Sequence, residues 1–202
     1  MRCPIEEQEL DQALRNTRLG KSSGPDSILP VILVNGGHCL RAFLLDLFNS
    51  CWVTEIIPLD CIDVNIDILS KKGDRSHCSN YRGLSLFSTV GKVWVDVILQ
   101  RLHLLVESMY PQLQSGYSNG RSTIDGIFTL CQLMEKTREQ RRCLYMAFVD
   151  FVKVFHTVNC KLIFIILHKL GCPPKFIRII KKLYTDVHAR LIVDGELTQS
   201  LE

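Results

Sequence analysis

No C-x-x-C pair occurs among the nine cysteines, and no Cys/His group has the spacing of zinc ligands; His38-Cys39 and His77-Cys78 stand as isolated dipeptides. An odd, scattered set argues against a disulfide framework or a zinc module. It reads as reduced thiols of an intracellular protein, in cytoplasm or nucleus, most of them filling small core positions. The opening Met1-Arg-Cys-Pro-Ile-Glu-Glu7 lacks the apolar region of a signal peptide. The longest apolar stretches, such as Leu162-Ile-Phe-Ile-Ile-Leu167, fall far short of the roughly 20 residues that span a bilayer. A transmembrane segment and a membrane partner are therefore not expected. There is no internal repeat, low-complexity tract or long linker. Nor is one sign of charge in excess: 24 Lys and Arg face 21 Asp and Glu, a formal charge of +3, so the total does not mark a nucleic-acid binder.

What is present fits an ordinary globular chain. A length of 202 residues allows one domain or one and a half, and 47% hydrophobic with 22% charged residues argues against disorder. The charge is unevenly placed. Lys169, Lys175, Arg178, Lys181, Lys182 and Arg190 are opposed only by Asp186, while Lys71, Lys72, Arg75, Arg82, Lys92 and Arg101 are opposed by Asp74 and Asp96. Two basic sections suit a phosphate-contacting face and suit two solvated helix faces equally well.

Periodicity supplies the elements. Pro4 to Leu19 is expected to be helical, with Pro in the first turn, Glu6 and Glu7 near the positive helix end, and Ile5, Leu10, Ala13 and Leu14 along one side. Gly20-Lys-Ser-Ser-Gly-Pro-Asp26 ends it; the run lacks the spacing of a phosphate loop and reads as a turn. Cys39 to Trp52 is an amphipathic helix. Cys61 to Leu69 alternates as a half-buried strand, with Ile62, Val64, Ile66 and Ile68 on the inner face. A turn with two lysines, Ser70 to Asp74, and a short strand with Arg82 follow. Ser88 and Thr89 can cap a long helix with Val90, Val93, Trp94, Val97, Ile98, Leu102 and Leu105 buried, stopped by Pro111. Ser122 to Asp125 satisfies a capping box, opening a helix whose apolar face holds Ile124, Ile127, Phe128, Cys131 and Met134. Two helices, Asn159 to Leu170 and Pro174 to Tyr184, are separated by Gly171-Cys-Pro-Pro174. Ala189 to Leu201 reads as two strands around an Asp-Gly turn.

The chemistry concentrates between Leu144 and Val158. The apolar run Leu144-Tyr-Met-Ala-Phe-Val149 leads into Asp150, and the basic, aromatic Phe151-Val-Lys153-Val-Phe155 follows. A run so rich in β-branched and aromatic residues predicts a buried strand, with Asp150 at its end facing a ligand. By residue type alone, an Asp here also serves to open a turn or cap a helix, and that alternative stands beside the first.

Phe148-Val-Asp150-Phe-Val-Lys153-Val-Phe155 resembles the first palm motif of reverse transcriptases from non-LTR (LINE-type) retrotransposons, with Val154 for the usual Ala and His156 for a second Asp. Other segments resemble the same family in the same order. Lys21-Ser-Ser-Gly-Pro-Asp26 resembles the segment before the fingers, with Ser27 for a Gly. Ser70-Lys-Lys-Gly-Asp74 and Asn80-Tyr-Arg-Gly-Leu-Ser-Leu86 resemble two fingers motifs. Gly91-Lys92 with Arg101-Leu102, then Gln114 through Asp125, complete the set; Tyr117 keeps an aromatic, and Ser118 replaces a basic residue.

The resemblance implies an RNA-directed DNA polymerase, a nucleotidyltransferase acting at two divalent ions. It implies an α+β fold of the right-hand polymerase kind: helix-rich fingers over 1–142 and a partial palm over 143–202, with a small, incomplete, mainly antiparallel sheet. Asp150 becomes catalytic and a Mg2+ ligand, assisted by the backbone of Phe151. Phe155 becomes the aromatic gate that favours deoxynucleotides. Lys71, Lys72 and Arg82 contact dNTP phosphates, since guanidinium holds two oxygens and ammonium supplies a point charge. Arg121, Lys175, Arg178, Lys181 and Lys182 contact nucleic acid, and the partners are RNA template, DNA primer and dNTP. No Asp-Asp dipeptide occurs in the sequence, so the Y-x-D-D carboxylates, the second half of the palm and the thumb are expected to lie outside it. Such a piece should hold Mg2+ weakly or not at all and be inactive alone. The alternatives are a non-catalytic nucleic-acid-binding remnant and a pseudogene-derived chain without ligand. An unfinished sheet exposes an edge, from which marginal stability or self-association is expected.

Overall fold

A computed structural model describes residues 3–71, 73–77, 80–106, 109, 114–116, 120–151, 157–185, 187–193 and 196–199. The chain runs α1 (Glu7–Asn16), α2 (Pro30–Asn35), α3 (Gly37–Thr54), a 3-10 turn (Leu59–Cys61), β1 (Val64–Ser70), β2 (Tyr81–Phe87) and α4 (Thr89–Val106). It continues through α5 (Thr123–Glu139), α6 (Cys160–Lys169), α7 (Pro174–Lys182), β3 (Ala189–Val193) and β4 (Glu196–Leu197). This is an α+β fold, helix-rich with a small mixed sheet. Contacts divide it into two units, residues 1–102 with 167–202, and residues 103–166.

The first unit holds the core. Helical spacing buries Leu10, Ala13 and Leu14 of α1, Leu44, Phe48 and Trp52 of α3, Val93, Trp94, Val97 and Ile98 of α4, and Phe176 and Ile179 of α7. Ring pairs join these helices: Phe48 to Trp94 at 5.3 Å and Trp52 to Phe176 at 6.1 Å between centroids. Such pairs add about 0.5–1.5 kcal/mol beyond area burial. α1 starts three residues later than its sequence suggests because Asn49 holds the preceding segment. Its side chain accepts from the Ile5 N–H at 2.6 Å and donates to the Ile5 carbonyl at 3.1 Å.

Two polar anchors fix α4. At its start Asp26 Oδ2 accepts from the Ser88 hydroxyl (2.9 Å), the Thr89 N–H (2.7 Å) and the Val90 N–H (3.4 Å). Ser88 Oγ accepts from the Gly91 N–H at 3.1 Å, and Thr89 Oγ1 donates to the Ile28 carbonyl at 2.6 Å. Ser88 and Thr89 thus cap as expected, but the anion at the helix end comes from Asp26, more than 60 residues away. Near its other end the buried Arg101 places Nε and Nη2 each 2.6 Å from the Glu9 carboxylate. It also donates to the carbonyls of Cys3 and Pro4 and stacks on Trp52, 4.7 Å from the ring centroid. Burial alone would raise the Glu9 carboxyl, but the Arg101 hydrogen bonds and charge outweigh it and hold the group below its ordinary 4.5.

The sheet order is β2-β1-β3-β4. β1 pairs antiparallel with β2, parallel with β3, and β3 pairs antiparallel with β4. The outer pairings match the expected antiparallel character, while the central one is parallel and takes strands from both sides of residue 142. β1 begins at Val64 rather than Cys61 because the preceding residues coil: the Ile62 and Asp63 N–H groups both donate to the Leu59 carbonyl at 2.8 Å. Gly91 packs against this turn so closely that a Cβ would lie 2.0 Å from the Cys61 carbonyl oxygen.

The second unit departs from expectation. α5 opens with the foreseen capping box, Ser122 Oγ accepting from the Ile124 N–H at 3.2 Å and Asp125 accepting from the Ser122 N–H at 2.7 Å. Yet none of its residues is buried, and Ile124, Ile127, Phe128 and Met134 face outward. The buried strand expected over 144–149 is absent: residues 142–151 are neither helix nor strand, and Tyr145 is 91% and Phe148 82% exposed. A strand exists by pairing its N–H and C=O groups with a neighbour. Among the described residues of this unit no strand offers a ladder, and apolar composition cannot replace one.

All eight described cysteines are free thiols, but only Cys51 and Cys172 are buried, so most are not core residues. Burial, with smaller contributions from nearby acidic groups, pushes the Cys61 thiol up to about 11 and raises Cys51 and Cys172. Among the described residues no helix is long and apolar enough to cross a membrane.

The Arg101–Glu9 pair carries a stability prediction. Arg101→Ala strands Glu9 without its counter-charge and is expected to cost on the order of 3 kcal/mol, measured by urea unfolding through the emission of Trp52 and Trp94. Because folding lowers the Glu9 pKa, its contribution is present above about pH 4.5 and is lost as pH falls through the folded value. The variant's stability should therefore fall less between pH 5 and 3 than the parent's; parallel pH profiles would contradict the assignment.

Candidate functional site

The β1–β2 hairpin brings together two of the expected phosphate ligands. Leu69 pairs with Arg82, and the ladder extends past β1 through the Lys71 N–H, which donates to the Asn80 carbonyl at 2.6 Å. Lys71 is thus a diagonal neighbour of Arg82, and period-two geometry sets both on one face at the hairpin tip. Both side chains are exposed, and Arg82 makes no ion pair among the described residues.

The loop between them is built, not loose. Asp74 accepts from the Ser76 hydroxyl at 2.6 Å and the Ser76 N–H at 3.0 Å, and these bonds hold its carboxyl below the ordinary range. Asn80 Nδ2 donates to the Asp74 carbonyl at 2.7 Å, and the Tyr81 hydroxyl donates to the Arg75 carbonyl at 2.8 Å. Gly73 takes φ +132, where side chains are strained. Sequence reasoning assigned Asp74 and Asn80 no role; the Asp-x-Ser spacing of an Asx turn was the available signal.

The four cations of α7 divide differently. Arg178 forms a two-pronged pair with Glu55, at 2.7 and 2.6 Å, which lowers the Glu55 carboxyl and raises the guanidinium. Lys182 donates to the Glu55 carbonyl, and Lys175 lies 5.1 Å from the Trp52 ring centroid. Glu55 closes α3 in the left-handed conformation, φ 58, so these side chains serve the helix end where orphan carbonyls gather. Lys181 is exposed. Nothing in the local pattern foretold Glu55, which lies 123 residues from Arg178.

Arg121, Asp150 and Phe151 belong to the second unit and are all exposed, Phe151 at 72%. Lys72, Tyr117, Ser118, Phe155 and His156 lie outside the described residues. Among the described residues no group of three His, Cys, Asp or Glu side chains is placed to hold a metal ion. One exposed carboxylate does not match the donor set of a two-ion site.

Residues 69–201 match the family model described as reverse transcriptase (RNA-dependent DNA polymerase). Across its full length the chain is 27% identical to the transposon TX1 uncharacterized 149 kDa protein of Xenopus laevis, covering 15% of that protein. It is 23% identical over 158 residues, 77% of the chain, to a probable RNA-directed DNA polymerase from transposon BS of Drosophila melanogaster, covering 17% of it. A third relative, the retrovirus-related Pol polyprotein from type-1 retrotransposable element R1 of Bradysia coprophila, is 26% identical over 124 residues, 60% of the chain and 12% of that protein. The chain thus spans less than a fifth of the length of each of these relatives.

The matched region opens at residue 69, opposite Arg82, so it takes in the whole hairpin tip. Asn80→Ala removes the amide that clamps the tip. The Lys71 amide should then exchange with deuterium about fivefold faster, the effect of one lost hydrogen bond worth ~1 kcal/mol. Unchanged exchange would mean the clamp contributes nothing.

Proposed function

Because the chain belongs to the reverse transcriptase (RNA-dependent DNA polymerase) family, in the branch carried by non-LTR (LINE-type) retrotransposons, we propose that it forms the fingers and the first part of the palm of a template-directed dNTP transferase. On this reading residues 1–142 are the fingers and N-terminal helical region, and 143–202 a partial palm. The observation that carries it is the hairpin tip, where β-ladder register sets Lys71 and Arg82 side by side on an exposed face. That pairing suits a triphosphate: guanidinium grips two oxygens at once, and an ammonium follows charge without demanding geometry. Lys72, Phe151 and Phe155 keep the dNTP-binding roles that the resemblance gives them, and Arg121 with Lys181 contacts template or primer.

Lys175, Arg178 and Lys182 enter the proposal with their present bonds to Trp52 and Glu55 to be exchanged or shared. Asp150 is proposed as one carboxylate of the divalent-ion site such enzymes generally use, with Mg2+ as the ion. A lone carboxylate does not make that site. The protein is proposed to act inside the cell. The edge strands β2 and β4 are proposed to mediate self-association.

Two measurements test this. Titration with a fluorescent dNTP should show saturable binding, weakened about tenfold, or ~1.4 kcal/mol, by Arg82→Ala; equal binding by parent and variant would sink the nucleotide reading. Primer extension on an RNA template with Mg2+ is expected to give no product from this chain alone. RNA binding without dNTP binding would instead favour the non-catalytic remnant.

A further inference from the structure

No residue of α5 is buried, yet its apolar side chains follow a rule. Ile124, Ile127, Cys131 and Met134 recur at steps of three, four and three residues, the spacing of the a and d positions of a heptad. The row is open along its whole length: 72% at Ile124, 61% at Ile127 and 47% at Met134, with Cys131 exposed between them. Phe128 flanks its middle and is 63% exposed. Ser115 lies against another side of the helix, at Gly126, where a Cβ would be 3.5 Å from its hydroxyl oxygen. The reciprocal bonds between Ser122 and Asp125 satisfy the helix start locally, so the row is carried by a helix that is properly begun.

A row at this spacing packs as knobs into the holes of a second helix. The charges select that helix. α5 is acidic in its first turn, at Asp125, and basic in its last, at Lys136 and Arg138. It is therefore complementary to another α5 laid antiparallel, because each acidic start comes beside a basic end and the two helix dipoles oppose. The register closes as well. Ile124 meets the partner's Met134, Ile127 meets the partner's Cys131, and the two-fold axis repeats both layers. Phe128 then lies near the axis, beside the partner's Phe128. A parallel pair lacks this fit. The position that follows Met134 in the row is Arg138, which in that arrangement would face the partner's Arg138.

We propose that α5 is a self-association surface on which two copies of this chain pair antiparallel through Ile124, Ile127, Cys131 and Met134. The partner is a second copy because the apolar row, the flanking ring and the end charges are each matched by α5 itself. The inference is independent of the proposed function, and the surface is distinct from the β2 and β4 edges.

Sedimentation equilibrium of the full chain tests it. A monomer–dimer equilibrium in the micromolar range is expected, since four layers make a small interface. Ile127→Glu places a charge in two of the layers and should raise the dissociation constant at least about tenfold, whereas Ile127→Leu should still dimerise. Because Ile127 is exposed in the single chain, the Glu variant should keep the far-ultraviolet circular dichroism of the parent. Orientation is read by mild oxidation of an equal mixture of Ile124→Cys/Cys131→Ala and Met134→Cys/Cys131→Ala chains, followed by mass-spectrometric mapping. A disulfide joining the two introduced sulfurs across chains supports the antiparallel pair; in the parent, a disulfide between Cys131 and the partner's Cys131 overturns it. A parent still monomeric at about 0.5 mM overturns the proposal. So does a dimer that Ile127→Glu leaves intact, which would belong to the strand edges instead.

Discussion

A single carboxylate, Asp26, sits where the ends of three segments meet. Its oxygen receives the first N–H groups of α4 and the hydroxyl of Ser88, while its own backbone leads out of a turn pressed against the last residue of β2. Free N–H groups at a helix start are both unsatisfied donors and the positive end of the helix dipole, so one anion answers two needs. What depends on it is relative position. β2 runs directly into α4, so fixing α4 fixes the strand that carries Arg82, and β1 follows β2 through seven paired residues. The packed side of α4, Val93, Trp94 and Val97, then meets α3 in a defined register. The hairpin is held to the helical core through a cap rather than through burial of its own face, most of which stays exposed.

The same frame sorts the cations. A formal charge near neutrality conceals three uses of Lys and Arg. Arg101 is inside, and its cost of desolvation is offset by a two-oxygen pair, two carbonyls and an aromatic face. Arg178, Lys182 and Lys175 lie along a helix surface and tie α7 to the end of α3; a net of this kind orients the helix more than it stabilises it, because water screens it. Arg82 is exposed and makes no ion pair among the described residues. This last use comes from a strand position, not from the helix whose composition is most basic.

Much of the first unit was legible because its signals are local. Helical spacing gave α3, α4 and α7 within a few residues, and Ser122 with Asp125 announced the start of α5. The motif segments Lys71 to Asp74 and Asn80 to Leu86 foretold a hairpin with cations at its tip, and the register bears out that placement. Hidden from view were partners distant in sequence. Asn49 delays α1, Glu55 engages Arg178, and Asp26 caps α4, each across more than 40 residues. A side chain that pairs with a remote group looks, in sequence, like any solvated polar residue. Arg101 shows this best, since in a periodicity plot it merely interrupts an apolar stripe.

The segment from Leu144 to Asp150 shows the opposite failure, a strong local signal without the local structure. Its apolar, aromatic and β-branched composition records a preference for burial on a pleated surface, and such a preference is conditional on the surface being there. Helices satisfy their backbone internally and so form wherever spacing allows; a strand must borrow every hydrogen bond from a neighbour. β1 has such neighbours on both sides and forms although its burial fades along its length, whereas residues 144–149 have none among the described residues of their unit and stay exposed and without regular structure. Propensity and pairing therefore part company at the one stretch where sequence placed the chemistry. Arg82 is held in register by the ladder it has, whereas Asp150 has none among the described residues of its unit.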